Sequence, residues 1–202
     1  REAMSFEDGM ADVRKVVDFE TPRQFRQMGR DILELSTRIP IAKEGLTQIV
    51  AAAGQASIAR PELLGFAEDA AKMGIAFDTT AEDAGDKMAK WRTAFRMTQP
   101  AVRGLADQIN YLGNTGPANA LQISNIVTRI GPLGEVAGLA AGEIAALGST
   151  IAGMGVEEEI AATGIKNTML ALTKGEAVTK SQKASTSWSA SADCRLNARA
   201  QS

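Results

Sequence analysis

The sequence predicts an all-α fold, and three observations carry that prediction. Apolar residues recur at intervals of three and four along almost the whole 202-residue chain, the spacing that returns side chains to one face of a helix. Convincing period-two alternation, the mark of a half-buried strand, is absent. A Gly, Pro or capping residue arrives about every 15–20 residues, where helices begin and end.

The first stretch, about residues 5–39, holds two stripes. Phe6, Met10, Val13 and Val17 form one, and Phe25, Met28, Ile32, Leu35 and Ile39 form the other. They predict an extended helix pair or coiled-coil arm, interrupted at Thr21-Pro22-Arg23-Gln24. There Thr is the N-cap, Pro takes the first helical position and Gln the third. Leu46, Ile49, Val50 and Ala53 then predict a helix ending at Gly54. Leu63, Phe66, Ala67, Ala70 and Met73 predict the next, opened by Pro61 and closed at Gly74. Glycine at that end suits the left-handed C′ position, with Ile75 as the following apolar contact.

Thr80 caps a helix carrying Ala84, Met88, Trp91 and Phe95, with Glu82 and Asp83 in its first turn, where the helix dipole favours acid. Val102, Leu105, Ile109 and Leu112 mark a helix ending at Gly113. After the turn at 114–117, Asn119 begins a helix with Ile123, Ile126, Val127 and Ile130, closed by Gly131-Pro132. Two more fall near 140–154 and 157–173, separated by Gly155. The prediction is eight or nine short helices.

An internal echo runs through this series. Met73-Gly74-Ile75, followed by a helix from Thr80, matches Leu133-Gly134-Glu135, followed by a helix from Ala140, at an offset of 60. Met97-Thr98 through Leu112 matches Gly155-Val156 through Leu170 at an offset of 58. Two related helical units explain this, and so do two independent helix-Gly-helix joints.

Composition excludes much chemistry. There is no histidine, so no Ser-His-Asp system, imidazole shuttle or histidine metal site. The single cysteine, Cys194, excludes an internal disulfide and multi-cysteine metal sites. A net charge of −2, with Lys and Arg scattered, gives no electrostatic footprint for a nucleic acid. Glu157-Glu158-Glu159 open a helix, and consecutive helical residues diverge by about 100°, so they do not converge on one ion. Glu68-Asp69 and Asp83-Asp86 read as solvated or capping carboxylates, and Trp91 with Phe95 as core. No enzyme, cofactor or metal is expected. No apolar run reaches the roughly 18 residues of a spanning helix.

Residues 131–155 carry only two charges, Glu135 and Glu143. Gly134, Gly138, Gly142, Gly148, Ala152 and Gly153 are the candidate helix-packing positions, because small side chains let backbones approach closely. One reading is a tightly packed helix-turn-helix, and the other a segment that meets a membrane or lines a pore.

Several runs resemble the core region of phage tail tape measure proteins, a minor-tail family. These are 46–55 (LTQIVAAAGQ), 66–78 (FAEDAAKMGIAFD), 88–92 (MAKWR), 106–112 (ADQINYL), 123–129 (ISNIVTR), 139–155 and 171–177 (ALTKGEA). The resemblance covers roughly residues 40–183. Where the family has Ser or Thr opening the helix after Leu139, this chain has Ala140. Beyond Lys183 the family's amphipathic helix is not continued, and a Ser-, Ala- and Arg-rich texture follows, as from a frameshifted or artificial end.

The resemblance implies a structural role in tail assembly and tail-length determination, in the tail tube lumen of the virion and in the host cytoplasm during assembly. The implied partners are tail tube, tail tip or assembly chaperone, and copies of the chain itself, with a membrane-active module for genome delivery as the alternative. The expected organisation is a helical arm over 1–39, a helical core domain over 40–173 and a low-complexity or disordered end over 174–202. The chain begins at Arg1 and is expected to be a piece of a longer protein.

Overall fold

Nine α-helices and one short 3-10 turn carry the chain from Glu2 to Thr173, the residues that this computed structural model describes. The helices are α1 (Glu2–Val16), α2 (Pro22–Arg38), α3 (Lys43–Gln55), α4 (Leu63–Phe77), α5 (Ala81–Ala94), α6 (Gln99–Thr115), α7 (Ala120–Ala137), α8 (Ala141–Gly153) and α9 (Glu158–Thr173). No strand occurs among the described residues. The end expected over 174–202 lies outside them.

The predicted stripes are the buried faces. Met10, Val13 and Val17 of the first stripe and Met28, Ile32, Leu35 and Ile39 of the second are buried. They join one hydrophobic cluster that continues through every later helix to Met169. The two helices over residues 5–39, expected as an extended helix pair or coiled-coil arm, lie packed on the rest of the fold, α1 along α3 and α2 against α3 and α4. The turn between α1 and α2 is held by an edge-to-face pair, Phe19 and Phe25, with centroids 5.3 Å apart. Arg14 stands over the Phe25 ring at 5.6 Å. Thr21 caps α2 as expected, accepting from the backbone N–H of Gln24 at 3.3 Å, and Thr80 caps α5 through Asp83 N–H at 3.1 Å.

The glycines expected to stop helices do something else. Gly54, Gly74 and Gly113 lie inside α3, α4 and α6, each one or more residues before the helix ends. A Cβ on Gly74 would stand 3.1 Å from both Cα and N of Ala81, and one on Gly113 only 2.5 Å from the backbone N of Ala120. These positions are small because the next helix starts against them. The left-handed residues that end α3 and α4 are Ser57 (φ 61°) and Asp78 (φ 54°). At α4 the Thr79 N–H reaches back to the Gly74 carbonyl at 2.9 Å, the six-to-one bond of a Schellman end. Ile75, expected to make the apolar contact, is 62% exposed.

A second difference lies at Pro132, which was expected to close its helix but sits inside α7. Proline removes one intrahelical bond, the donation to the Thr128 carbonyl, at a cost of about 3 kcal/mol. Packing on both sides outweighs it: α7 touches α4, α5, α6, α8 and α9, and a Cβ on Gly131 would meet Ala94 at 3.1 Å and Phe95 at 3.3 Å.

The internal echo has a structural counterpart. At an offset of 60, buried Leu63, Phe66, Ala67 and Ala70 of α4 correspond to buried Ile123, Ile126, Val127 and Ile130 of α7. Ala81 and Ala84 of α5 correspond in the same way to Ala141 and Ile144 of α8. The left-handed joints also repeat, Asp78 with Gly138 and Arg96 with Gly155. Helix α3 packs on α4 and α5, and α6 packs likewise on α7 and α8. Two three-helix units therefore stand in tandem, joined chiefly where α5 meets α7.

Candidate functional site

The candidate packing residues concentrate on α8, whose sequence from Ile144 to Val156 has no charged side chain. An uncharged helix buries on several sides only if some of its positions are small, and α8 supplies them. A Cβ on Gly148 would lie 3.1 Å from Ile126 of α7. On Gly153 it would overlap the ring of Pro117, in the turn before α7. Ala152 is buried in the core cluster between them. Gly142 faces the end of the Gln108 side chain of α6, whose Oε1 would be 2.7 Å from a Cβ there. Gly138 takes the left-handed turn between α7 and α8, with φ 69° and nothing within 4 Å of a Cβ. Gly134 falls inside α7.

The structure thus brings Gly142, Gly148, Ala152 and Gly153 together as the inner face of α8, against α6, α7 and the turn joining them. The outer face carries larger side chains. Leu147 is 43% exposed and Met154 69% exposed, and half-buried Ile151 lies between them at helical spacing.

The α8 N-terminus shows a half-built cap. Ala140 has the extended backbone of an N-cap, φ −71° and ψ 152°, but no side-chain acceptor. Only the return bond is made, from the Ala140 N–H to Glu143 Oε2 at 2.8 Å.

Sequence reasoning missed one polar feature. Asp69, read as a solvated or capping carboxylate, is buried, with its side chain only 5% exposed. It accepts two bonds from Arg103 of α6, at 2.9 and 3.0 Å, and one from Gln99 Nε2 at 2.7 Å. Gln99 in turn accepts from Arg92 of α5, which pairs with Glu62 at 2.8 Å. A buried carboxylate demands this saturation, since an unpaired one would be strongly disfavoured. Donating to the Asp69 carboxylate, and the charge of that carboxylate, raise the guanidinium pKa of Arg103 still further. The signal was present: Asp69 lies three residues after Phe66 and four before Met73, on the buried face.

Asp69 and Arg103 of this network line an open cleft between α4 and α6, with Met73, Phe77 and Met88. In it Asp69 pairs with Arg103 and Glu68 with Lys72, and Asp107 adds a further, exposed carboxylate. The Glu157–Glu159 run diverges as expected: Glu158 accepts from Asn125 at 2.8 Å and Glu159 pairs with Arg129 at 2.9 Å. Among the described residues no group of three or more acidic or cysteine side chains is placed to hold a metal ion.

Comparison with known proteins gives two findings. Residues 29–193 match the family described as phage-related minor tail protein. The chain is also similar to a probable tape measure protein of Halomonas phage phiHAP-1, 34% identical over 194 residues, which is 90% of this chain and 22% of that relative. The chain thus spans about a fifth of the length of the curated relative it matches. No solved structure matches it.

Proposed function

The chain belongs to the phage-related minor tail protein family, and from that premise we propose that it is a compact assembly domain of a tape measure protein. The family is a structural one of the phage tail. In this reading the domain resides in the virion tail, within the tube lumen, after passing through the host cytoplasm during assembly. It acts by packing helices against tail tube, tail tip or chaperone, or against copies of itself.

The observation that supports the reading is the path of the backbone. As one continuous helix, 202 residues would extend roughly 300 Å at 1.5 Å per residue. This chain instead reverses at left-handed residues Ser57, Asp78, Arg96, Gly138 and Gly155 and buries its stripes against one another. A ruler needs length per residue, which a folded-back chain gives up. The domain therefore contributes to tail length only as cargo of a longer chain, and to assembly through its surface.

The membrane-delivery alternative draws no support from helix length: among the described residues no helix is long and apolar enough to cross a membrane. The test is an in-frame deletion in a phage encoding this chain, with tail length measured by electron microscopy. Because α1 is buried on α3, the deletion takes residues 2–173 together. Absent or misassembled tails are the expected result. Tails shortened by about 1.5 Å per deleted residue would make the segment part of the ruler and overturn the proposal. Tails of normal length that fail to infect would favour the membrane alternative.

A further inference from the structure

We propose that the outer face of α8, formed by Leu147, Ile151 and Met154, is a docking surface for an amphipathic helix of the α7 pattern, supplied from outside this chain. The tandem repeat is its basis, and the repeat does not depend on the tail reading.

In the first unit the corresponding face of α5 is already covered. Trp91 is fully buried there and donates to Thr128 of α7 at 2.8 Å. Phe95, the C-cap of α5, packs against Gly131 of α7. At an offset of 60, Trp91 corresponds to Ile151. The α8 C-cap, Met154, stands where Phe95 stands in α5, each with ψ 6° and each followed by a left-handed residue. Among the described residues the second unit thus repeats the face without its cover. Ile151 is half-buried and Met154 is 69% exposed. Leu147, the counterpart of Lys87, widens the apolar area.

The repeat also says what fits. The cover of the first face is a helix with Ile123, Ile126, Val127 and Ile130 on its inner side and the small Gly131 under the bulkiest contact. Helix α9 already lies on α7 and α8, at the offset that relates it to α6, which makes it the first helix of a third unit. At the same period the sequence has Lys183, Thr186 and Ser187 where α7 has Ile123, Ile126 and Val127, so the α7 stripe is not repeated there. A partner helix with a branched aliphatic stripe and a small residue opposite Met154 provides the cover.

The test duplicates residues 114–173 and inserts the copy after Thr173 of the full chain, which places a second α7 sequence next to α8. In tandem-repeat proteins a unit that docks adds to one cooperative transition. The expected result is a single transition with a steeper denaturant dependence than the parent. Met154→Lys should leave the parent's folding equilibrium within about twofold, since the side chain is exposed, and lower that of the extended chain by about tenfold or more. An added segment that stays unfolded, or melts separately, would overturn the proposal. So would a Met154→Lys effect of equal size in both chains.

Discussion

The indole N–H of Trp91 donates to the hydroxyl of Thr128 at 2.8 Å, and that hydroxyl donates onward to the Ser124 carbonyl at 2.8 Å. The bond crosses the joint between the two units, from α5 to α7, over 37 residues of sequence. It saturates a fully buried tryptophan in the one orientation that lays its ring between the helices. Thr128→Val keeps the shape and orphans the indole, and should cost about 1–3 kcal/mol in urea denaturation. Adding Trp91→Phe should then cost less than the sum of the two single changes. Additive effects would show that the bond couples nothing.

The glycines divide into those with a neighbour and those without. Gly113→Ala brings a Cβ to 2.5 Å from the Ala120 backbone and should destabilise by about 1–3 kcal/mol. Gly104, in the same helix, has nothing within 4 Å of a Cβ, so Gly104→Ala should stabilise by about 0.8–1 kcal/mol through helix propensity alone. Thermal melts of the two variants should move in opposite directions. Movement in the same direction would contradict the close approach of α6 and α7.

Ala140 offers a cap waiting for its oxygen. The backbone is extended and Glu143 already reaches back to it at 2.8 Å. Ala140→Ser supplies the acceptor and completes the capping box, with an expected gain of about 0.5–1 kcal/mol. An unchanged or lowered melting temperature would count against the helix start at Ala141.

Glu68 should titrate below the usual carboxylate range. The hydrogen bond from Lys72, at 2.7 Å, is the main cause; partial burial opposes it, and the charges of Lys72, Arg38 and Arg103 add to it. A lowered folded-state pKa means that the pair supports the fold at neutral pH and that this support fades as pH falls through the carboxylate range. The contribution is small because the pair is largely exposed. Carboxyl-resolved NMR titration of Lys72→Met should show the Glu68 midpoint rising towards its ordinary value. A midpoint that stays put would remove Lys72 as the cause.

What was readable in the sequence was local and periodic. The stripes Met28-Ile32-Leu35, Leu46-Ile49-Val50 and Ile123-Ile126-Val127-Ile130 became buried helix faces, because helical periodicity is a property of consecutive residues. Thr21 and Thr80 were legible as caps for the same reason: a cap bonds within its own turn. The offset of 60 was legible as an echo. The family was legible in the runs around Phe66, Trp91 and Ile123, and the match over residues 29–193 bears it out.

Tertiary structure decided everything that depended on a neighbour far along the chain. Gly54, Gly74 and Gly113 look like stops, yet each is an approach point: Gly74 and Gly113 meet the backbone of the next helix, and Gly54 meets Val16 and Val17 at the end of α1. Asp69 looks solvated, but Arg103, 34 residues away, lets it be buried. Pro132 looks like an end, but packing of α7 against five helices outweighs its one lost bond. The inner face of α8 and its uncovered outer face share one uncharged sequence. Only the placement of α6 and α7 makes one side core and leaves the other open, because burial is set by what stands opposite a residue.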